Sequence, residues 1–151
     1  MAIKSTSHSA CAVAIFTLFC ALAPRLHLQN EGELQQADVE KIVANNPLGA
    51  SDSIKVTTVG QGESVSHLVV QIRDRESPHI HEIPDGTVVM IKGRGYLMME
   101  NRGMDLSVGD VVYISRGVVH YYVNSASEPT VAFVIFSPPF DGKDTIPVTA
   151  P

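Results

Sequence analysis

The feature that most constrains the fold is a series of short β-forming runs between residues 53 and 137. Runs rich in Val, Ile, Thr and Tyr alternate with clusters of Gly, Pro, Asn and Asp at intervals of about ten residues. This spacing is typical of strands joined by turns, and no helical period competes with it. The pattern predicts seven strands, at 54–59, 64–73, 87–92, 96–100, 111–114, 119–123 and 130–136. The sequence therefore predicts an all-β domain, either a sandwich or a closed barrel.

A short helix is predicted just before these strands, at residues 38–45. Val39, Ile42 and Val43 stand at i, i+3 and i+4 and form a single apolar stripe. The helix should stop at Asn46, because the residue before a proline is pushed out of the helical region and Pro47 follows.

The N-terminal segment differs in charge from the rest of the chain. Residues 1–30 contain Lys4 and Arg25 but no acid, and thirteen apolar or small residues run from Cys11 to Ala23. That run has the length of the apolar h-region of a secretory signal peptide and is shorter than the roughly 20 residues of a membrane-spanning helix. The segment predicts export to the periplasm or the exterior after cleavage, with a retained membrane anchor, or a lipid on Cys20, as alternatives.

These patterns divide the chain into four parts: a signal peptide or membrane anchor at 1–27, a linker and short helix at 28–52, a barrel domain at 53–140 and an irregular tail at 141–151. Both cysteines, Cys11 and Cys20, fall in the first part. A mature chain that lacks this part has no thiol, which excludes a cysteine nucleophile and a disulfide alike.

The overall charge excludes one class of partner. The chain has 11 basic and 16 acidic residues, a formal net charge of −5, and no basic stripe. Nucleic-acid binding needs a positive surface, so DNA and RNA are excluded and a small molecule is the expected partner.

Three histidines are the strongest candidates for chemistry. His79 and His81 are two residues apart, so in extended backbone their side chains point the same way, and His120 lies on a later predicted strand. Such a pair can supply two ligands to one metal ion. His67 is a weaker candidate, because a lone histidine on a strand is usually a core or rim residue.

Two stretches around these histidines resemble the two sequence motifs of the cupin superfamily. The first runs from His79 to Gly86 and on to Gly93, with the H-x-H pair at its start. The second has Gly109-Asp110, Gly117, His120 and Asn124 at the family spacing, with Ser115 where proline is usual. Two spaced motifs in the right order make the resemblance specific, and it spans about residues 64–139.

The resemblance implies a cupin-type double-stranded β-helix, or jelly-roll, barrel in which His79, His81 and His120 hold a divalent metal with one acid. The usual glutamate would fall at Gly86, which has no side chain. Asp85 and Glu82 are the candidates to replace it, and a site of three histidines alone is the remaining alternative. In a regular strand Asp85 faces away from the side shared by Gly86, Val88 and Met90, and Glu82 should point outward.

The resemblance also implies a function. Three imidazoles suit Fe, Mn, Ni, Cu or Zn, and the metal would orient a small organic molecule for oxygenase-type or isomerase-type chemistry. The alternative is a non-catalytic module that binds a small ligand with no metal or a structural one. Because a small barrel has sheet edges to protect, a homodimer is also expected.

Overall fold

The computed structural model describes residues 38–149. The predicted signal peptide, most of the predicted linker and the last two residues lie outside the described residues. Within them the chain forms one helix, α1, and ten strands, β1 to β10. Their bounds are α1 Val39–Asn45, β1 Ile54–Gln61, β2 Ser66–Ile72, β3 His79–Ile80, β4 Asp85–Lys92, β5 Arg94–Met99, β6 Arg102–Ser107, β7 Val111–Ile114, β8 His120–Asn124, β9 Thr130–Ser137 and β10 Ile146–Pro147.

Helix α1 forms where the apolar stripe predicts it. Asp38 caps its first turn, with the side chain accepting a hydrogen bond from the Lys41 N–H at 3.2 Å. The helix ends at Asn46, whose N–H donates to the carbonyls of Ile42 and Val43, immediately before Pro47. The short N-terminal helix is thus confirmed.

The strands form two five-stranded sheets, and every pairing between strands is antiparallel. One has the order β1-β2-β9-β4-β7, and the other has the order β10-β3-β8-β5-β6. Side chains alternate along each strand, so the two sheets bury their facing sides and form one core. Its buried apolar members include Leu68, Met90, Leu97, Leu106, Val112, Ile114, Val134 and Phe136. The all-β barrel predicted from the sequence is confirmed.

Three strands, β3, β6 and β10, were not predicted from the sequence, and the reasons lie in their length, composition and pairing. β6 places Met104 and Leu106 toward the core but Asp105 and Ser107 outside, so it shows few apolar residues. It also begins at Arg102-Gly103, in one of the clusters of turn-forming residues between the predicted strands. β3 and β10 have two residues each, too few to show any period. All three pair with neighbours distant in sequence or across a tight turn, which single-strand patterns do not reveal.

Residues 146–148 of the C-terminal tail are attached to the barrel. β10 pairs with β3, with Pro147 opposite His79. Just before the tail, the Phe140 N–H donates to the Ser66 hydroxyl at 3.0 Å, and the Phe140 ring packs against the core. The tail therefore forms part of the surroundings of the first two histidines.

No helix among residues 38–149 has the length and hydropathy needed to cross a membrane.

Candidate metal centre

The three histidines predicted from the sequence are brought together by strand pairing. His79 opens β3 and His120 opens β8, and the two residues are direct cross-strand partners. His81 follows two residues after His79, so the alternation of an extended chain turns it to the same side. Its carbonyl also accepts a hydrogen bond from the Gly117 N–H at 2.6 Å, which ties the first motif to the loop that leads into His120.

The three imidazole rings form a compact cluster inside the barrel. The ring centroids are 4.3 Å apart for His79 and His120, 5.1 Å for His79 and His81, and 5.3 Å for His81 and His120. One ligating nitrogen from each ring lies within 4.8 Å of the other two. Their exposed fractions are only 6 to 8%. Among the described residues, this is the only group of three or more His, Cys, Asp or Glu side chains with that geometry.

Hydrogen bonds to the backbone fix which nitrogen of each ring faces the cluster. Nδ1 of His79 lies 2.8 Å from the Ser77 carbonyl, and Nδ1 of His120 lies 2.9 Å from the Val118 carbonyl. Nδ1 of His81 is paired with the Asp144 carbonyl. A carbonyl oxygen can only accept, so each Nδ1 carries the proton and each neutral ring keeps an unprotonated Nε2. This outer arrangement is the usual one for metal-binding histidines.

Burial favours the neutral form of two of these rings, His81 and His120. It lowers the pKa of His120 from 6.5 to about 4, and it lowers the pKa of His81 as well, with the neighbouring histidines adding to both shifts. The hydrogen bonds to Val118 and Asp144 oppose the shifts but are outweighed. Neutral imidazoles with converging lone pairs can bind a divalent cation without first losing protons.

Asp85, the predicted fourth ligand, is not brought into the cluster. Its carboxylate accepts a hydrogen bond from the Arg116 N–H at 2.9 Å, in the loop before β8. As alternation along β4 predicts, Gly86, Val88 and Met90 face the cavity while Asp85 does not. The geometry of these residues therefore gives three histidine donors and no carboxylate from Asp85.

The place at Gly86 where the family pattern has its acid is occupied by an aromatic ring. A Cβ atom added at Gly86 would lie 3.1 Å from Cε1 of Phe136, whose ring also contacts His81 at a centroid distance of 4.9 Å. Phe136 thus closes the space beside the histidines with an apolar wall. The φ angle of Gly86 is not in the left-handed region, so the backbone itself does not require glycine there.

The other two candidates lie away from the cluster. Glu82 is exposed, as expected, and its backbone N–H donates to the Asp144 carboxylate at 3.1 Å. His67 stacks on Phe133 with a centroid distance of 5.9 Å and does not line the cavity. Neither residue is placed to contribute a ligand.

One acid near the cluster, Glu76, was not predicted, because it ends the run Arg73-Asp74-Arg75-Glu76, whose alternating charges are typical of a solvated loop. Glu76 lines the cavity, and its carboxylate accepts a hydrogen bond from the Tyr122 N–H at 3.0 Å. Its own N–H donates to the Tyr122 carbonyl at 2.9 Å, so the segment before β3 is fastened to β8. Burial raises the pKa of Glu76, and the nearby His79 partly opposes that rise. Its position three residues before His79 was the only signal in the sequence.

The histidines form part of the wall of a cavity of about 330 Å³ between the two sheets. Most of the wall is aliphatic or aromatic, and Glu76 is its only carboxylate among the described residues. A volume of this size suits a small organic molecule. The arrangement can therefore hold a cation at one place and an apolar group beside it.

Comparisons with known proteins identify the domain. The family model described as "Cupin domain" matches residues 66–136. An uncharacterized protein of Aquifex aeolicus (strain VF5) is 37% identical over 111 residues, which cover 74% of this chain and 90% of that protein.

Solved structures show the same fold at low sequence identity. A Klebsiella pneumoniae protein with a double-stranded beta-helix domain gives a TM-score of 0.63 at 19% identity and covers 77% of this chain and all of that one. KdgF from Halomonas sp. gives a TM-score of 0.57 at 22% identity and covers 62% of this chain and 88% of that one.

Proposed function

We propose that this chain, which belongs to the cupin family, holds a divalent metal ion on three histidines and binds a small organic molecule in the cavity beside it. The observation that carries the proposal is the convergence of three buried histidines, each of whose Nδ1 atoms donates to a backbone carbonyl and leaves Nε2 free to bind a metal. Unprotonated imidazole nitrogens that converge on one point of a largely apolar cavity are donors that a divalent transition-metal ion prefers.

The donor set narrows the choice of metal. His79, His81 and His120 would supply three neutral nitrogens, which suit Fe, Mn, Ni, Cu or Zn better than Mg or Ca. When bound, such an ion supplies a Lewis acid with positions left open for a small molecule.

The chain's own residues prepare the rest of the site. The rings of Phe136 and Phe140 pack edge-on against His81, with centroid distances of 4.9 and 5.5 Å from its ring, and form an apolar wall on that side. Glu76 provides a hydrogen-bond acceptor in the same cavity. We propose that these groups orient a small organic molecule for oxygenase-type or isomerase-type chemistry.

Cobalt titration tests this function directly. Co²⁺ added to metal-free protein should produce visible absorption bands of a nitrogen-ligated ion, saturating at one ion per chain. Added imidazole or azide should then alter those bands, because three protein ligands leave open positions. A spectrum that saturates but does not respond to either ligand would favour the alternative, a binding module with a closed structural metal.

We further propose export and pairing, each with its own test. The acid-free N-terminal segment supports export with removal of residues 1–27, which mass spectrometry of the secreted protein would reveal.

The edge strand β7 supports a homodimer, because Val111 and Tyr113 on its outer side are 63% and 59% exposed. A monomeric mass by light scattering would contradict pairing.

A further inference from the structure

We infer that the cavity selects a ligand with one metal-binding end and an uncharged body, and that it rejects a second anionic group. The inference rests on the proposed function and names the class of molecule that the same cavity takes. It follows from the hydrogen-bonding character of the polar groups in the cavity wall.

The enclosed polar groups are all acceptors. Each Nε2 atom opposite a proton-bearing Nδ1 has a lone pair and no proton in the neutral ring, and the carboxylate of Glu76 has acceptors only when it is ionised. Tyr122 needs separate treatment, because a hydroxyl group can both donate and accept. Its hydroxyl lies 3.1 Å from Oγ1 of Thr130, and both residues line the cavity.

The direction of the Tyr122 hydrogen bond is set by a neighbouring amide. The Asn124 side chain accepts from the Ala126 N–H at 2.9 Å, which identifies its oxygen, and that oxygen also lies 2.9 Å from the Thr130 hydroxyl. Thr130 therefore donates its only hydroxyl proton to Asn124 and must accept from Tyr122. Since the Tyr122 proton is used in this way, its oxygen can only accept from a ligand.

No basic side chain supplies the hydrogen-bond donor that the described part of the cavity wall lacks. Among the described residues that line the cavity there is no Lys or Arg. Two nearby arginines have other contacts. Arg73 donates to the carbonyls of Gly49 and Ala50, and the Arg75 guanidinium lies 5.8 Å above the Tyr121 ring. The other two hydroxyl residues of the wall, Ser77 and Thr145, are exposed to solvent.

An anionic group on a part of the ligand that lies against the buried side chains of Leu68 and Met90 would thus lose its water and meet no donor. Burial of a charge without a partner is strongly unfavourable, whereas a methyl group fits the wall of Leu68, Val88 and Met90 at no such cost. A hydroxyl group can donate to Tyr122 or Glu76 and should be tolerated.

Three six-carbon acids with the same metal-binding carboxylate test this on metal-loaded protein at pH 8. Hexanoate ends in a methyl, 6-hydroxyhexanoate in a hydroxyl and adipate in a second carboxylate. We expect the first two to bind within about threefold of each other and adipate at least about tenfold more weakly, by calorimetry. Adipate that binds as tightly as hexanoate would overturn the inference.

A matched pair of variants tests whether the preference for hexanoate over adipate arises from the cavity wall. Glu76→Gln supplies an amide donor in place of an acceptor, so the preference for hexanoate over adipate should shrink at least about threefold. Glu82→Gln removes an exposed acid outside the cavity and should leave the preference unchanged. An unchanged preference in Glu76→Gln would contradict the role of that carboxylate.

Metal-free protein separates this inference from the proposed function. There, 1-hexanol should bind at least about tenfold more tightly than hexanoate, because no cation remains to pair with the carboxylate. Failure of the protein to take up metal, with this preference intact, would contradict the proposed function alone. Equal binding of the alcohol and the acid would contradict the inference alone.

Discussion

His79 and His120 are direct cross-strand partners, and their imidazole rings lie 4.3 Å apart although the residues are 41 positions apart in the chain. The pair joins strands β3 and β8 at a point where only one register pair connects them. The cluster can therefore form only once the barrel has folded. A metal bound there should stabilise the folded chain over the unfolded one.

The stability of metal-free protein should fall as the pH falls, through His120. Its pKa is about 4 in the folded chain, against 6.5 for an unperturbed histidine, so the unfolded chain takes up the proton more readily. The contribution is fully present above pH 6.5 and is lost between pH 6.5 and about 4. The loss should approach on the order of 3 kcal/mol. Urea unfolding of wild type and His120→Gln measures it, and a stability difference between the two that does not change with pH would refute the argument.

Ionisation of Glu76 should lower the stability of metal-free protein as the pH rises, the opposite of the effect of His120. Its pKa is raised in the folded chain above 4.5, so ionisation costs more in the folded than in the unfolded state as the pH rises past that value. Glu76→Gln removes this cost. We expect the stability of Glu76→Gln relative to wild type to increase from pH 4 to pH 8 in metal-free protein. Glu82→Gln, which changes an exposed acid, is the control, and a similar increase in both variants would contradict the role of burial.

Replacement of Asp85 should affect the loop before β8 more than the metal. The Asp85 carboxylate accepts from the Arg116 N–H, and an Asn side chain would replace this charge-assisted bond by a weaker one to a neutral amide oxygen. We expect Asp85→Asn to lower stability by about 0.5–1.5 kcal/mol and to change metal affinity less than about threefold. A tenfold or greater weakening of metal binding would return Asp85 to the ligand set.

Restoring the family pattern should have two opposite effects. Gly86→Glu places a carboxylate beside the histidines, so metal affinity should rise. The new side chain must also displace Phe136, 3.1 Å from the added Cβ, at a cost of about 1–3 kcal/mol in unfolding free energy. Gly86→Gln has the same shape without the charge and should show the cost alone. Equal metal affinity in the two variants would show that the carboxylate does not reach the metal.

Period-two alternation accounts for what the sequence predicted well. It places His79 and His81 on one side and Gly86 on the inner face with Asp85 on the other, which is how they lie. The strands with apolar residues on the inner side were predicted within a few residues. These features depend on local backbone geometry, which adjacent residues determine.

What the sequence did not predict depends on contacts between distant residues. Glu76 lies in a run of alternating charge typical of solvated loops, and it is buried because Tyr122, 46 positions later, pairs with its backbone and carboxylate. β10 exists because the tail reaches β3, and the Asp144 carbonyl there fixes the His81 ring. Only the tertiary structure creates these contacts.

Metal content per chain tests the central claim most directly. Protein reconstituted with Zn²⁺ or Fe²⁺ and then desalted should retain one ion per chain by elemental analysis in wild type. The same content is expected in the control His67→Gln, whose ring stacks on Phe133 away from the cavity. The double variant His79→Gln with His81→Gln should retain none while remaining folded by circular dichroism. A wild type without metal, or a double variant that keeps its ion, would contradict the three-histidine centre.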